Sequence, residues 1–335
     1  MVTEQHIRDR LDALAKPQGS LGKLENVAAR LALAQQRLDP VTRPRCITLF
    51  AADHGVVAQG VSAWSSAVTG LMVDTIRAGH ATSNALAAAQ DCALRLVDVG
   101  SAGEPKGAGP DFFRAAKVAR GTADLSVKPA MTVAQFDTAW GIGAEEARHA
   151  LAAGNAVLIT GEMGIGNTTA AACLTALLAG LDPTEAVGRG AGADETVLAA
   201  KQRVVQQAVG RARLLFASDQ KAAIAAVSGF EIVAMAGFIA AAANAGSTLL
   251  LDGYVATAAA LIAEQLAPGS ARCLIAAHLS AEPGHAAALA QLGLEPLLEW
   301  QMRLGEGTGA LVALPLLDSA AALLTKVALL ADLGI

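Results

Sequence analysis

The strongest local pattern is Gly161-Glu162-Met163-Gly164-Ile165-Gly166-Asn167-Thr168-Thr169, between an apolar strand-like run and an Ala-rich helix expected to begin near Thr168. Glycines let backbone approach an anion, a helix start presents unpaired N–H groups, and Thr hydroxyls add donors. No Lys precedes the Thr pair, so this is not a Walker loop, and it suits a monophosphate better than a nucleoside triphosphate. Glycines also permit plain tight packing at such a turn, which is the structural alternative. A second loop, Gly188-Arg189-Gly190-Ala191-Gly192, offers more close-approach backbone and a fixed positive charge at Arg189, unless it is only a helix-to-helix turn with Arg189 on the surface.

Near the C-terminus a carboxylate stands among glycines, in Arg303-Leu304-Gly305-Glu306-Gly307-Thr308-Gly309, ahead of the apolar run Ala310 to Leu317. Neighbouring side chains leave Glu306 uncovered. A carboxyl at the mouth of an apolar segment has its pKa raised toward neutrality, as a general base requires. The alternative is a helix-start glutamate favoured by the macrodipole. Further polar groups follow apolar runs at Asp53-His54-Gly55, at His278 and at Ser280-Ala281-Glu282-Pro283-Gly284-His285. No pair has zinc-site spacing, so no metal is expected, and without a Gly-x-Ser-x-Gly elbow a hydrolytic triad is not expected either.

These groups need elements to position them. Apolar runs at Cys46–Ala52, Leu94–Val99, Val157–Thr160, Thr248–Leu251 and Cys273–Ala277 alternate with helical stretches, the signature of βαβ units, with room for a hidden sixth strand. Most are apolar throughout, which implies cover on both faces. Arg95 and Asp98 interrupt Leu94–Val99 and place it nearer an edge or a site. The expected fold is α/β, a Rossmann-like parallel sheet flanked by helices, with ligand groups beyond the carboxyl ends of the strands. Residues 46–296 would form that domain, and the helical segments 1–45 and 297–335 a small helical domain. The stretch Glu104 to Pro110, including Lys106 and Ala108, reads as loop.

The chain has 335 residues, 53% hydrophobic, 16% charged and 3% aromatic, so it has enough apolar surface for a large core built from Ala, Leu, Val and Ile. Ala-rich helices suit close packing and a dimer interface. A formal net charge of −5 gives no reason to expect a nucleic-acid partner. Cys46, Cys92, Cys173 and Cys273 are scattered and read as buried free thiols in a reducing cytoplasm. Residues Met1 to Arg10 lack the apolar core of a secretory signal. Ile232 to Ala263 is mostly apolar, but Asn244, Gly246, Asp252 and Gly253 interrupt it, so it reads as a buried helix followed by a buried strand rather than a membrane span.

Taken in order along the whole chain, these motifs resemble one family, the nicotinate-nucleotide:dimethylbenzimidazole phosphoribosyltransferases. The resemblance adds Lys16-Pro17-Gln18-Gly19-Ser20-Leu21-Gly22-Lys23-Leu24-Glu25, Ala52 to Val57, Gly229-Phe230-Glu231-Ile232 and Leu292 to Leu298 to the loops already named. It implies transfer of phosphoribose from nicotinate mononucleotide to 5,6-dimethylbenzimidazole, in a cytoplasmic homodimer with no cofactor. It also implies that Glu306 is the base and that Glu162 lies in the same site. Gly164, Gly166, Asn167, Thr168, Gly188, Arg189, Gly190 and Lys201 would hold phosphate and ribose, and Trp64, Met163 and Leu304 would line the acceptor pocket. Where many relatives carry a pair containing Pro and often Gln after Gly60-Val61-Ser62-Ala63, this chain has Trp64-Ser65-Ser66. The acceptor is therefore open among dimethylbenzimidazole, another benzimidazole, a purine or a phenol. Two further readings are a dinucleotide-dependent oxidoreductase, which the missing Gly-x-Gly-x-x-Gly after the first strand disfavours, and a non-catalytic nucleotide-binding protein.

Overall fold

Strand β1 (Arg45–Ala52) is buried along its whole length. Such burial requires cover on both faces, the condition of an internal parallel strand. In the computed structural model, which describes residues 1–105, 107, 109–190 and 192–334, β1 pairs in parallel with β2 (Ala93–Gly100) and β4 (Val157–Met163). Beyond these lie β3 (Phe113–Ala115), β5 (Thr248–Leu251) and β6 (Leu274–Ala276), giving the order β3-β2-β1-β4-β5-β6. The order reverses between β1 and β4, where a parallel sheet opens a crevice beyond its strand ends. Lys106 and Ala108 of the expected loop, Ala191 of the second glycine loop and the terminal Ile335 lie outside the described residues.

The five expected strands form, and the hidden sixth is β3, too short to show a periodicity. Beside it, β2 lies next to the edge, as Arg95 and Asp98 suggested. One strand differs. The apolar run Val157–Thr160 continues as β4 through Gly161, Glu162 and Met163, which pair with Leu49, Phe50 and Ala51 of β1. Ladder hydrogen bonds come from the backbone, so the polar Glu162 does not end the strand.

The α-helices are α1 (Glu4–Asp12), α2 (Lys23–Gln35), α3 (Ala67–Arg77), α4 (Thr82–Ala89), α5 (Val133–Ala152), α6 (Asn167–Leu178), α7 (Glu195–Phe216), α8 (Gln220–Val227), α9 (Phe230–Asn244), α10 (Tyr254–Leu266), α11 (Gly284–Gln291) and α12 (Thr308–Lys326). Successive strand side chains point to opposite faces. Phe50, Val97 and Leu158 meet residues of α5, α6, α9 and α10, whereas Ile47, Leu49, Leu96 and Ile159 meet those of α1, α2 and α12. The two terminal segments pack together through α2 and α12 and share that second apolar layer with the sheet. Among the described residues one helix, α12, is long and apolar enough to cross a membrane, and 61% of that stretch is buried inside the fold. Ile232 to Ala263 resolves into most of α9, then β5, then most of α10. All four cysteines are buried and free, and burial pushes their thiols up, to about 11 for Cys46 and about 12 for the others.

Few aromatics fill this core, so backbones must come close instead. At the α5–α9 crossing a Cβ added to Gly143 would overlap the Ala234 carbonyl, and one added to Gly237 would overlap that of Trp140. Gly143→Ala should therefore force the helices apart and lower stability by about 1–3 kcal/mol or more, read by chemical denaturation. An unchanged midpoint would show that the crossing yields at no cost.

Candidate active site

A cavity of about 710 Å³ opens beyond the carboxyl ends of β4, β5 and β6. Of the residues the sequence singled out for the site, it is lined by Glu306, Glu162, Gly164, Gly166, Asn167, Thr168, Arg189, Gly190, Lys201, Trp64, Met163 and Leu304. Gly188 stands behind the wall, where its carbonyl accepts from Lys201.

One end is acidic. Gly305, Glu306 and Gly307 have φ of 88°, 56° and 69°, so a glutamate is held in the left-handed region between two glycines. That conformation costs a non-glycine residue roughly 1–3 kcal/mol and persists where surroundings enforce it. Here the enforcement is visible. The Glu306 N–H donates to the Glu162 carbonyl at 3.2 Å, and Ser83 Oγ on α4 donates to Glu306 Oε2 at 3.2 Å. A Cβ at Gly305 would overlap Glu162 Oε1, one at Gly307 would overlap Ile47, and one at Gly161 would lie 2.6 Å from the Gly307 nitrogen.

Burial raises the Glu306 carboxyl above its ordinary range, opposed by the Ser83 hydrogen bonds and reinforced by Asp252. Glu162 is raised well above its own range, first by burial and then by the charges of Glu231, Asp252 and Glu306, although Asn167 Nδ2 donates to its Oε2. Loss of water penalises the ionised form, and neighbouring carboxylates add to that penalty.

The other end holds a helix start and a buried lysine. Gly166, with φ of 94°, caps the start of α6, whose N-terminus faces the cavity at Asn167 and Thr168. Lys201, 1% exposed on α7, donates to Thr168 Oγ1 at 2.8 Å and to the Gly188 carbonyl at 3.0 Å. Burial lowers its pKa to about 8, against the opposing charge of Glu282. The Gly190 N–H donates to Glu282 Oε1 at 2.8 Å, while Arg303 Nη1 donates to the Gly190 carbonyl at 3.0 Å. Arg189 reaches only the rim. Its guanidinium donates to the Ala193 carbonyl at 2.9 Å and pairs with Glu195.

Between these ends, Val61, Ala63, Val68, Met72, Met163 and Ile165 form an apolar wall, with Trp64 (52% exposed) and Leu304 (57% exposed) at its mouth. Asp53 and His54 do not line the cavity. Asp53 Oδ2 accepts from the Ala102 N–H at 2.8 Å, and His54 Nε2 lies 2.6 Å from Glu231 Oε1 in a fully buried pair behind the glycine loop. His278 does line it, 3.9 Å from Asp252 Oδ1. Sequence reasoning had no signal for Ser83, a short polar residue on an Ala-rich helix. It named Arg303 only as the start of a motif and Asp252 only as an interruption of the apolar run Ile232 to Ala263.

A crevice beyond the strand ends of a doubly wound sheet, with a helix start and a buried lysine at one end and carboxylates at the other, marks an α/β protein with a ligand cleft. A family model described as phosphoribosyltransferase matches residues 2–335. The nicotinate-nucleotide–dimethylbenzimidazole phosphoribosyltransferase of Thermus thermophilus is 48% identical over 95% of this chain and 93% of its own. Its counterpart from Mycobacterium avium is 44% identical over 98% of this chain and 93% of its own. The crystal structure of CobT from Thermus thermophilus matches with a TM-score of 0.95 at 45% identity, covering 99% of this chain and 98% of that one. This chain belongs to the phosphoribosyltransferase family that the model describes.

Below the cavity floor, His285 Nδ1 accepts from the Ser280 N–H at 2.8 Å, and its Nε2 lies 2.9 Å from Thr257 Oγ1. Burial, aided by His278, lowers its pKa from 6.5 to about 3. The unfolded chain therefore takes up this proton at a higher pH than the folded one, and the stability that His285 contributes is present above pH 6.5 and lost as pH falls toward about 3. The stability difference between wild type and His285→Gln should shrink as pH drops through that window. A difference independent of pH, read by denaturant melts, would contradict it.

Proposed function

We propose that this protein transfers phosphoribose from nicotinate mononucleotide to 5,6-dimethylbenzimidazole, giving α-ribazole 5′-phosphate and nicotinate, in the nucleotide loop assembly of cobalamin biosynthesis. The observation that carries the reading is the Glu306 carboxyl, buried beside Glu162 in a cleft with an apolar wall on one side and the Gly190 loop with buried Lys201 on the other.

One benzimidazole nitrogen attacks the anomeric carbon of the ribose as its bond to the nicotinate ring nitrogen breaks. The other benzimidazole nitrogen gives its proton to Glu306. Nicotinate leaves with the bonding electron pair, which neutralises its cationic ring nitrogen, so no acid is needed. In-line displacement inverts the anomeric carbon and turns the β-nucleotide into an α-product. Glu162 lies in the same site, and the negative charge of Asp252 there favours the positive charge that develops on the ribose. The phosphate sits against Gly164, Gly166, Asn167, Thr168, Gly190 and Lys201, with Gly188 holding the lysine and Arg189 at the rim. Trp64, Met163 and Leu304 receive the acceptor ring.

The family resemblance also supports a cytoplasmic homodimer, and a division into a catalytic α/β domain (46–296) and a small helical domain (1–45 with 297–335) that delivers Glu306.

Purified protein should release nicotinate and α-ribazole phosphate without added metal, and Glu306→Gln should lose about 10²-fold or more in kcat. A Glu306→Gln protein as fast as wild type would remove the base assignment. Because Glu306 must be ionised and its pKa is raised, the acid limb of kcat/KM should lie above the ordinary carboxylate value of 4.5. Lys201 loses its charge near pH 8, so kcat/KM for the nucleotide should fall again above that point. A profile flat from pH 4.5 to about 9 would contradict both.

If Trp64 stacks on the acceptor, Trp64→Ala should raise the acceptor KM much more than that of nicotinate mononucleotide. Equal effects on the two would show that Trp64 does not select the acceptor.

A further inference from the structure

The peptide groups of Gly190 are held from both sides, by Glu282 on the N–H and by Arg303 on the carbonyl. Arg303 lies just upstream of Gly305 and Glu306, so one hydrogen bond of 3.0 Å links the anion-binding loop to the turn that carries the base. The chain around Arg303 is otherwise lightly tied. Residues 299–301, 303 and 304 are exposed and Met302 is half-buried, Gln301 has a φ of 59°, and the Met302 carbonyl accepts from the Ala281 N–H at 3.2 Å. Exposed backbone with few bonds sits at the low-stability end of a fold, where a single added contact changes its population.

We propose that Arg303 is a positioning residue that makes the placement of Glu306 depend on phosphate bound at the Gly190 loop. Phosphate against Lys201 and Gly190 orders the loop, the loop carbonyl orders Arg303, and Arg303 sets the Gly305–Gly307 turn. The phosphate takes no part in bond making, so its binding energy is free to align the reacting groups instead of only holding the donor. The sensitivity of rate to alignment is large, since a displacement of about 1 Å can cost about 10²-fold. Arg303 therefore acts through Glu306 and not on the substrate.

This inference rests on the phosphoribosyl-transfer reading, and the test separates the two. Turnover of intact nicotinate mononucleotide by wild type is measured first, and its absence would remove the functional reading itself. The donor is then split into nicotinate riboside and inorganic phosphite, and riboside turnover is followed against phosphite concentration for wild type, Arg303→Met and Arg303→Lys. Thermal melts establish that each variant is folded. Wild type should be stimulated at least about 10-fold by saturating phosphite, Arg303→Met should approach no stimulation at saturation, and Arg303→Lys should fall between. Full stimulation of Arg303→Met at a higher phosphite concentration would make Arg303 a simple phosphate ligand and overturn the proposal. Stimulation equal to wild type, or none in wild type, would overturn it as well.

Discussion

The site depends on a backbone-to-backbone contact between the carboxyl end of β4 and the glycine turn around Glu306. Gly161 packs against the nitrogen of Gly307, and the Glu162 carbonyl accepts from the Glu306 N–H. Side chains at Gly161, Gly305 or Gly307 would separate the two segments, so these glycines are needed for proximity as well as for their dihedral angles. The meeting of Glu162 and Glu306 follows from this contact, because it brings a residue of the central sheet and one from the C-terminal segment into one desolvated space.

Desolvation then sorts the charges. At one end Glu162, Glu306 and Asp252 share the cavity, and burial with mutual repulsion favours proton retention on the two glutamates. At the other, Lys201 is almost wholly buried yet keeps two hydrogen bonds, and Glu282 partly offsets its loss of hydration. Such a separation suits a substrate whose phosphate must be anchored while positive charge develops at its sugar. The loop between the ends is fastened by Arg303 and Glu282, which reach the same glycine from segments far apart from it in the chain.

The core supports this arrangement with little aromatic mass. Ala and Gly let α5 and α9 cross almost in backbone contact, and the helices of the two termini close the other face of the sheet. Tight layers leave the strand ends little freedom, and the loops that follow them inherit that precision.

Much of this was legible in the residues. Apolar runs followed by Gly, Asp or His mark buried parallel strands locally, and glycines around Glu306 and along Gly161–Gly166 mark close backbone approach, since both patterns act over a few residues. The short β3 and the continuation of β4 through Glu162 were not legible, because pairing with a neighbour, not local propensity, made them strands. Arg189 read either as a charge for the site or as a surface residue of a turn, and its guanidinium bonds its own loop, while the less conspicuous Arg303 bonds the Gly190 carbonyl and Ser83 bonds Glu306. The sequence by itself determined the sheet class, the glycine loops and the identity of the carboxylates. Only the tertiary structure decided which of them meet and that their pKa values move upward, because ionisation is set by lost water and by charges brought close from distant parts of the chain.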